Sequence, residues 1–118
     1  VVYHTHYLDY FEAARTEALR DLGIAYRDVE DDGIIMPVID LNLQYKRPAR
    51  YDDLLAIAAQ FRTVPGVRVP IDYEVRRAGE TDLLVTGRVT LCFMDAARNR
   101  PTRIPDSMRA VFERVIDA

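Results

Sequence analysis

One cysteine in 118 residues leaves no partner for an intramolecular disulfide, and the single serine, Ser107, lies outside any nucleophile-elbow context. Cys92 alternates with Thr90 and Met94 along one stretch and reads as a packed or half-exposed thiol, so covalent catalysis through sulfur or hydroxyl has little support. The five glycines form no phosphate-cradling loop, which excludes a Walker or dinucleotide fingerprint. No apolar run approaches the roughly 18 residues that a membrane helix needs, and no stretch has the make-up of a signal peptide. Positive charge is not in excess either. With a formal net charge of −3 and a pI near 5.3, the chain exerts no global pull on nucleic acid or on an anionic membrane, so any anionic ligand must be met by a local cluster. These absences fit a reducing cytoplasm, without membrane insertion or nucleic acid as a partner. The chain opens on Val1 rather than Met, and further residues are expected upstream.

What is present fits one soluble domain: 49% hydrophobic and 30% charged residues, enough to bury a core. From about Tyr3 to Leu22, the residues Tyr7, Leu8, Phe11, Ala14, Ala18, Leu19 and Leu22 recur at three and four. Gly23 follows as a stop, which predicts one long amphipathic helix. Arg27 to Gly33 is acidic and ends in Asp-Asp-Gly, the pattern of a solvated turn. After Gly33 the period changes to two. Ile39, Leu41, Leu43 and Tyr45 alternate with polar residues, as do Leu55, Ile57, Ala59 and Phe61, then Val69, Ile71, Tyr73 and Val75; Leu83 to Met94 forms a fourth run. The short, turn-rich connections predict that successive strands are antiparallel hairpin neighbours. Pro105-Asp106 opens a short helix carrying Met108, Val111, Phe112 and Val115. One long helix followed by four strands is an α+β layout in which the sheet must cover the helix's apolar stripe.

With Asp9 as the zero of a helical wheel at roughly 100° per residue, the apolar positions fill an arc of about 180° with His4 near its middle. His6 falls on the polar side, so the histidines form no i,i+4 metal pair and no zinc site is expected. Arg15 lies inside the arc and Glu12 at its edge. Burying either charge alone is costly, so the two are expected to neutralise each other, Glu12 being either that structural partner or a carboxylate at the reaction centre. The first turn of such a helix offers unpaired N–H groups and the positive end of its dipole to a developing oxyanion, so the backbone of His4 matters as much as its imidazole. Two basic clusters are candidates for phosphate: Lys46, Arg47 and Arg50 where the first strand turns, and Arg98, Arg100 and Arg103 after the last.

The run V-V-Y-H-T-H-Y-L-D-Y-F-E-A-A-R-T-E, residues 1–17, resembles the entry to the central helix of the 4-hydroxybenzoyl-CoA and YbgC-like thioesterases. Q-Y-K-R-P-A-R-Y-D-D-L-L, residues 44–55, is similar to that family's strand-turn-strand segment, and N-R-P-T-R-I-P, residues 99–105, to its closing turn. The resemblance covers nearly the whole chain in order and spacing. It implies a hot-dog fold, an antiparallel sheet wrapped around one long helix, assembled as a homodimer or homotetramer with active sites between subunits. It also implies hydrolysis of an acyl-CoA or acyl-carrier-protein thioester without metal or organic cofactor. By position, His4 matches the family's active-site His or Tyr, whose backbone N–H polarises the thioester carbonyl, and Glu12 the place where a related hot-dog branch carries its catalytic carboxylate; Tyr3 beside His4 is a further catalytic candidate, and Lys46, Arg47 and Pro48 are candidate substrate contacts. The family's usual catalytic aspartate falls just before the V-V-Y-H run, in a first strand expected upstream of Val1.

Two other readings stand beside this one. A non-catalytic acyl-CoA or acyl-carrier-protein binding module keeps the fold and lacks the base. A hot-dog dehydratase is a second enzyme alternative, but its characteristic helix-opening His and downstream motif are not what V-V-Y-H-T-H-Y resembles. The inner strand faces suit an aliphatic or an aromatic acyl group equally.

Overall fold

The computed structural model describes residues 4–50 and 52–116, with residues 4–6 described by their backbone alone. Helix α1 runs over His4–Asp21 and ends where the sequence predicts. Gly23 adopts φ +85°, its N–H donates to the Arg20 carbonyl at 2.9 Å, and the N–H of Ile24 reaches back to Leu19 at 2.9 Å. This paired closure needs a left-handed residue, which glycine supplies without a Cβ penalty.

The acidic segment is not simply a turn. Tyr26–Asp31 forms a short helix, α2, because Val29 turns inward and is buried among polar neighbours that stay outside. Next come β1 (Ile34–Ile35), β2 (Val38–Tyr45), β3 (Leu55–Gln60), β4 (Arg68–Arg77), β5 (Leu83–Cys92), β6 (Met94–Asp95), β7 (Arg100–Pro101) and helix α3 (Asp106–Ile116). The four long strands lie in the order β2-β5-β4-β3, all antiparallel, and β1, β6 and β7 make a small second sheet.

This order corrects the expectation of hairpin neighbours throughout. β3, β4 and β5 are consecutive neighbours, but β2 pairs with β5, with Leu41 opposite Val89 and Tyr45 opposite Val85. The segment between β2 and β3 is therefore a crossover spanning the sheet's end. Among the described residues both β2 and β3 are edge strands. On β2 the alternation is present but mostly uncovered: Ile39, Leu41 and Tyr45 are exposed and only Leu43 is half-buried. Leu8 on α1 and Val115 on α3 are likewise exposed rather than in the core.

The core lies between α1 and the inner sheet face. Tyr7, Phe11 and Leu19 of α1 meet Val69, Ile71, Tyr73 and Val75 of β4 and Val85, Val89 and Leu91 of β5. The far end is closed by α3, whose Phe112 packs edge-on against Phe61 at 5.0 Å. Near the middle, the ring of Phe11 stacks on Tyr73 at 4.2 Å and 15°. Gly87, the partner of Tyr73 on β5, leaves the room for this: a Cβ there would stand 2.7 Å from Leu43 Cδ2, 3.2 Å from Phe11 Cε2 and 3.3 Å from the Asn42 carbonyl. Between α1 and the free side of β3 runs a groove of about 420 Å³ lined by Tyr10, Ala14, Ala18, Leu55 and Ile57. No helix among the described residues is long and apolar enough to cross a membrane.

Alanine favours the strand over glycine by roughly 0.5–1 kcal/mol, but here its methyl group overpacks against a ring and a backbone carbonyl. Gly87→Ala is therefore expected to destabilise the fold by about 1–3 kcal/mol, read as a lower denaturant midpoint at unchanged m-value.

Candidate active site

The start of α1 sits over the end of β2. Tyr7, only 1% exposed, meets Tyr45 at 5.9 Å and 63°, and Tyr10 at 6.0 Å and 88°. Burial pushes the ionisation of Tyr7 upward, with Tyr45, Tyr10 and Asp53 adding to it and Arg77 opposing. Burial raises that of Tyr45 as well. At neutral pH these phenols are uncharged, and they offer a surface and O–H groups rather than a base. The first turn of α1 carries no acidic side chain, so no carboxylate within that turn opposes the positive end of the helix dipole.

The crossover after β2 lies at the same end. A bulge in the β4–β5 pairing, where Val75 faces Val85 and Arg76 faces Leu83, leaves Leu84 without a partner in that ladder. Its carbonyl accepts instead from the N–H groups of Lys46 and Arg47, at 2.8 and 3.1 Å. The side chains of both residues stay at the surface. Lys46 Nζ donates to Gln44 Oε1 at 3.0 Å, and Arg47 stands 3.7 Å from the exposed carboxylate of Asp82. The Pro48 carbonyl accepts from Arg77, and Arg77 Nε donates to Asp53 at 2.9 Å.

The predicted site residues thus fall into two groups. His4 is the first residue of α1, and Lys46, Arg47 and Pro48 lie on the crossover at the same end of the sheet, joined through Tyr7, Tyr45, Asp53 and Arg77. Tyr3 and the His4 side chain lie outside the described residues. Glu12 is two turns further along α1, about 12 Å from His4 at 1.5 Å per residue, and its side chain is 69% exposed. The rival cluster of Arg98, Arg100 and Arg103 follows the opposite end of β5, ten residues and roughly 30 Å of extended strand away.

Arg15 is half-buried, in keeping with its place in the apolar arc, with 12% of its side chain exposed. The expected pairing with Glu12 is made only at 3.9 Å, and Nε of Arg15 is buried with no partner. The guanidinium rests instead 5.4 Å from the ring centroid of Tyr26, an attraction that offsets part of its desolvation. It also acts on Tyr73, whose ionisation burial pushes up to about 12, with Arg15 working against that rise. Among the described residues no group of His, Cys, Asp and Glu stands close enough to hold a metal ion. Arg77 and Asp53 escaped the sequence reading: they lie 24 positions apart, and no local pattern joins them.

Comparison with known proteins decides the family. Residues 1–112 match the model of the thioesterase-like superfamily. The chain belongs to that superfamily. Among its relatives, the acyl-CoA thioesterase YbgC of Haemophilus influenzae is 31% identical over 113 residues, covering 95% of this chain and 82% of that one. YneP of Bacillus subtilis is 33% identical over 87 residues, covering 73% of this chain. The chain spans 63% of the length of YneP and 62% of that of a Synechocystis relative. Among solved structures, the DHNA-CoA thioesterase of Staphylococcus aureus superposes with a TM-score of 0.89 at 29% identity, covering 98% of this chain and 78% of that one. The hot-dog arrangement expected of the superfamily is the one observed, a four-stranded antiparallel sheet with α1 packed against its inner face.

Because the Glu12 carboxylate is largely in water and only loosely paired, removing its charge is expected to cost under about 1 kcal/mol. Glu12→Gln should unfold within a few degrees of the parent in a thermal melt, whereas a drop of ten degrees or more would make Glu12 a structural partner of Arg15.

Proposed function

We propose that this chain hydrolyses acyl-CoA thioesters at the start of α1, as the superfamily match and the resemblance of residues 1–17 suggest. The observation that carries the reading is the meeting of two separate motifs at one end of the sheet: the start of α1, whose first turn carries no acidic side chain, and the Lys46–Arg47–Pro48 turn. The first suits the negative charge that develops on a thioester carbonyl under attack, held by backbone N–H groups at and around His4. The second suits the phosphates of coenzyme A, met by an ammonium and a guanidinium that protein acceptors engage only weakly. A carboxylate takes a proton from water, the water oxygen adds to the carbonyl carbon, and the C–S bond breaks as the carboxyl returns that proton to the sulfur, so that free acid and thiol leave and the carboxylate is restored.

Glu12 is the carboxylate that the resemblance assigns on this chain. It stands too far from the start of its own helix to act there, so in this reading it serves a thioester bound against a second copy. The β2 edge supports such an assembly: no strand among the described residues pairs with its outer side, and Val38, Ile39, Leu41 and Tyr45 are 56, 48, 40 and 53% exposed. A second β2 in antiparallel pairing removes both the open hydrogen-bonding edge and the apolar rim, in a two-fold homodimer. A cytoplasmic location accompanies this reading.

Single-turnover assays over short, long and aromatic acyl-CoAs test the activity. Glu12→Gln should lose roughly two to four orders of magnitude in rate if Glu12 is the base. His4→Ala should keep substantial turnover if the backbone N–H does the work. A folded parent chain that binds acyl-CoA and releases no thiol would leave it a binding module. Light scattering is expected to show a dimer at micromolar concentration, and Leu41→Lys to shift it toward monomer; a monomeric parent overturns the assembly.

A further inference from the structure

One guanidinium holds the crossover between β2 and β3 at several points. From the last residue of β4, Arg77 Nε donates to Asp53 Oδ2 at 2.9 Å, and a terminal nitrogen of the same side chain donates to the Pro48 carbonyl at 2.9 Å. The same Asp53 oxygen accepts from the Arg50 N–H at 2.7 Å, and the Asp53 N–H closes the turn onto the Arg50 carbonyl at 3.1 Å. Positions 48, 50 and 53 are thereby tied to one side chain rooted in the sheet. The tie is sheltered, with 27% of the Arg77 side chain and 17% of the Asp53 side chain exposed. The Asp53 carboxyl is held below the usual carboxylate range, first by the Arg50 N–H and, against the opposing effect of burial, by Arg77.

This tie does two things for the cations that precede it. Lys46 and Arg47 are anchored by their backbones to Leu84, but the chain beyond them would otherwise be free to carry them away from the start of α1. Arg77 fixes the far side of the turn, so the Lys46–Pro48 segment is held from both ends. It also engages Asp53, a carboxylate that would otherwise lower the local potential for an anion next to Lys46, Arg47 and Arg50. Charge-assisted bonds in a partly dry setting hold their geometry better than exposed ones, and placing two flexible cations in advance reduces the ordering cost of binding phosphate.

We infer that Arg77, acting through Asp53 and the Pro48 carbonyl, is a positioning residue that fixes Lys46 and Arg47 for the phosphates of coenzyme A. This rests on the acyl-CoA reading above.

The test compares two thioesters of one acyl group, on coenzyme A and on N-acetylcysteamine, which has no phosphates. Arg77→Met should raise KM for the acyl-CoA about tenfold, a loss near 1.4 kcal/mol, with kcat and the N-acetylcysteamine KM moving less than about twofold. Arg77→Lys, able to reach Asp53 but not to bridge both acceptors, should recover part of the loss, and it carries the test together with Asp53→Asn if the methionine variant fails to fold. A general structural role predicts a lower Tm and equal losses on both thioesters, and that result, or no change on either, overturns the inference. Titration with coenzyme A alone separates the two readings. Weaker binding by the variant in a protein without turnover supports the clamp and sinks the hydrolase reading. Turnover by the parent with equal coenzyme A binding in parent and variant sinks only the clamp, and no coenzyme A binding by the parent sinks both.

Discussion

The contact between Phe11 and Tyr73 sets the height of α1 above the sheet, and most of what is distinctive in the molecule depends on that height. Two aromatic rings 4.2 Å apart can lie nearly parallel under a helix only if the strand next to Tyr73 presents no side chain, and Gly87 is that strand's contribution. With the middle of the helix seated so low, Tyr7 is driven into the end of the sheet against Tyr45, and the start of α1 is brought to the level of the crossover. The backbone of His4 and the cationic turn after β2 lie at one end of the sheet because a glycine lies between two strands elsewhere.

The same seating explains the isolation of Arg15. One turn beyond Phe11, on a helix pressed onto its sheet, an arginine has little room to reach water, and its nearest carboxylate lies outward with Glu12. The aromatic face of Tyr26 takes over part of the solvent's role, which ties the end of α1 to the first turn of α2 through a charge rather than through apolar packing.

The elements were largely legible because their signals are local. The three-and-four spacing from Tyr7 to Leu22, the stop at Gly23 and the strict alternation from Val69 to Val75 each belong to one segment whose buried face is continuous. What could not be read was pairing at a distance. Alternation in Ile39, Leu41, Leu43 and Tyr45 shows that one face is apolar, but not that the strand lies at an edge with most of that face uncovered, nor that its partner is β5. Val29 was hidden inside an acidic run because it is the one buried residue between Arg27 and Gly33, and one residue makes no period. At the site, the resemblance pointed to His4, Glu12 and Lys46–Pro48, whereas the bond between Asp53 and Arg77 has no signature, since nothing in either segment says that the two will be adjacent.

The pairing of β2 with β5 also has a temporal side. During synthesis β2 emerges well before the strand it must join, with β3 and β4 still to come, and those two can form their hairpin with β5 before β2 has a place to dock. For that interval an apolar strand with both edges open waits in solution. The strand whose apolar residues stay mostly exposed in the finished fold is therefore also one that must wait, uncovered, for its partner to be made.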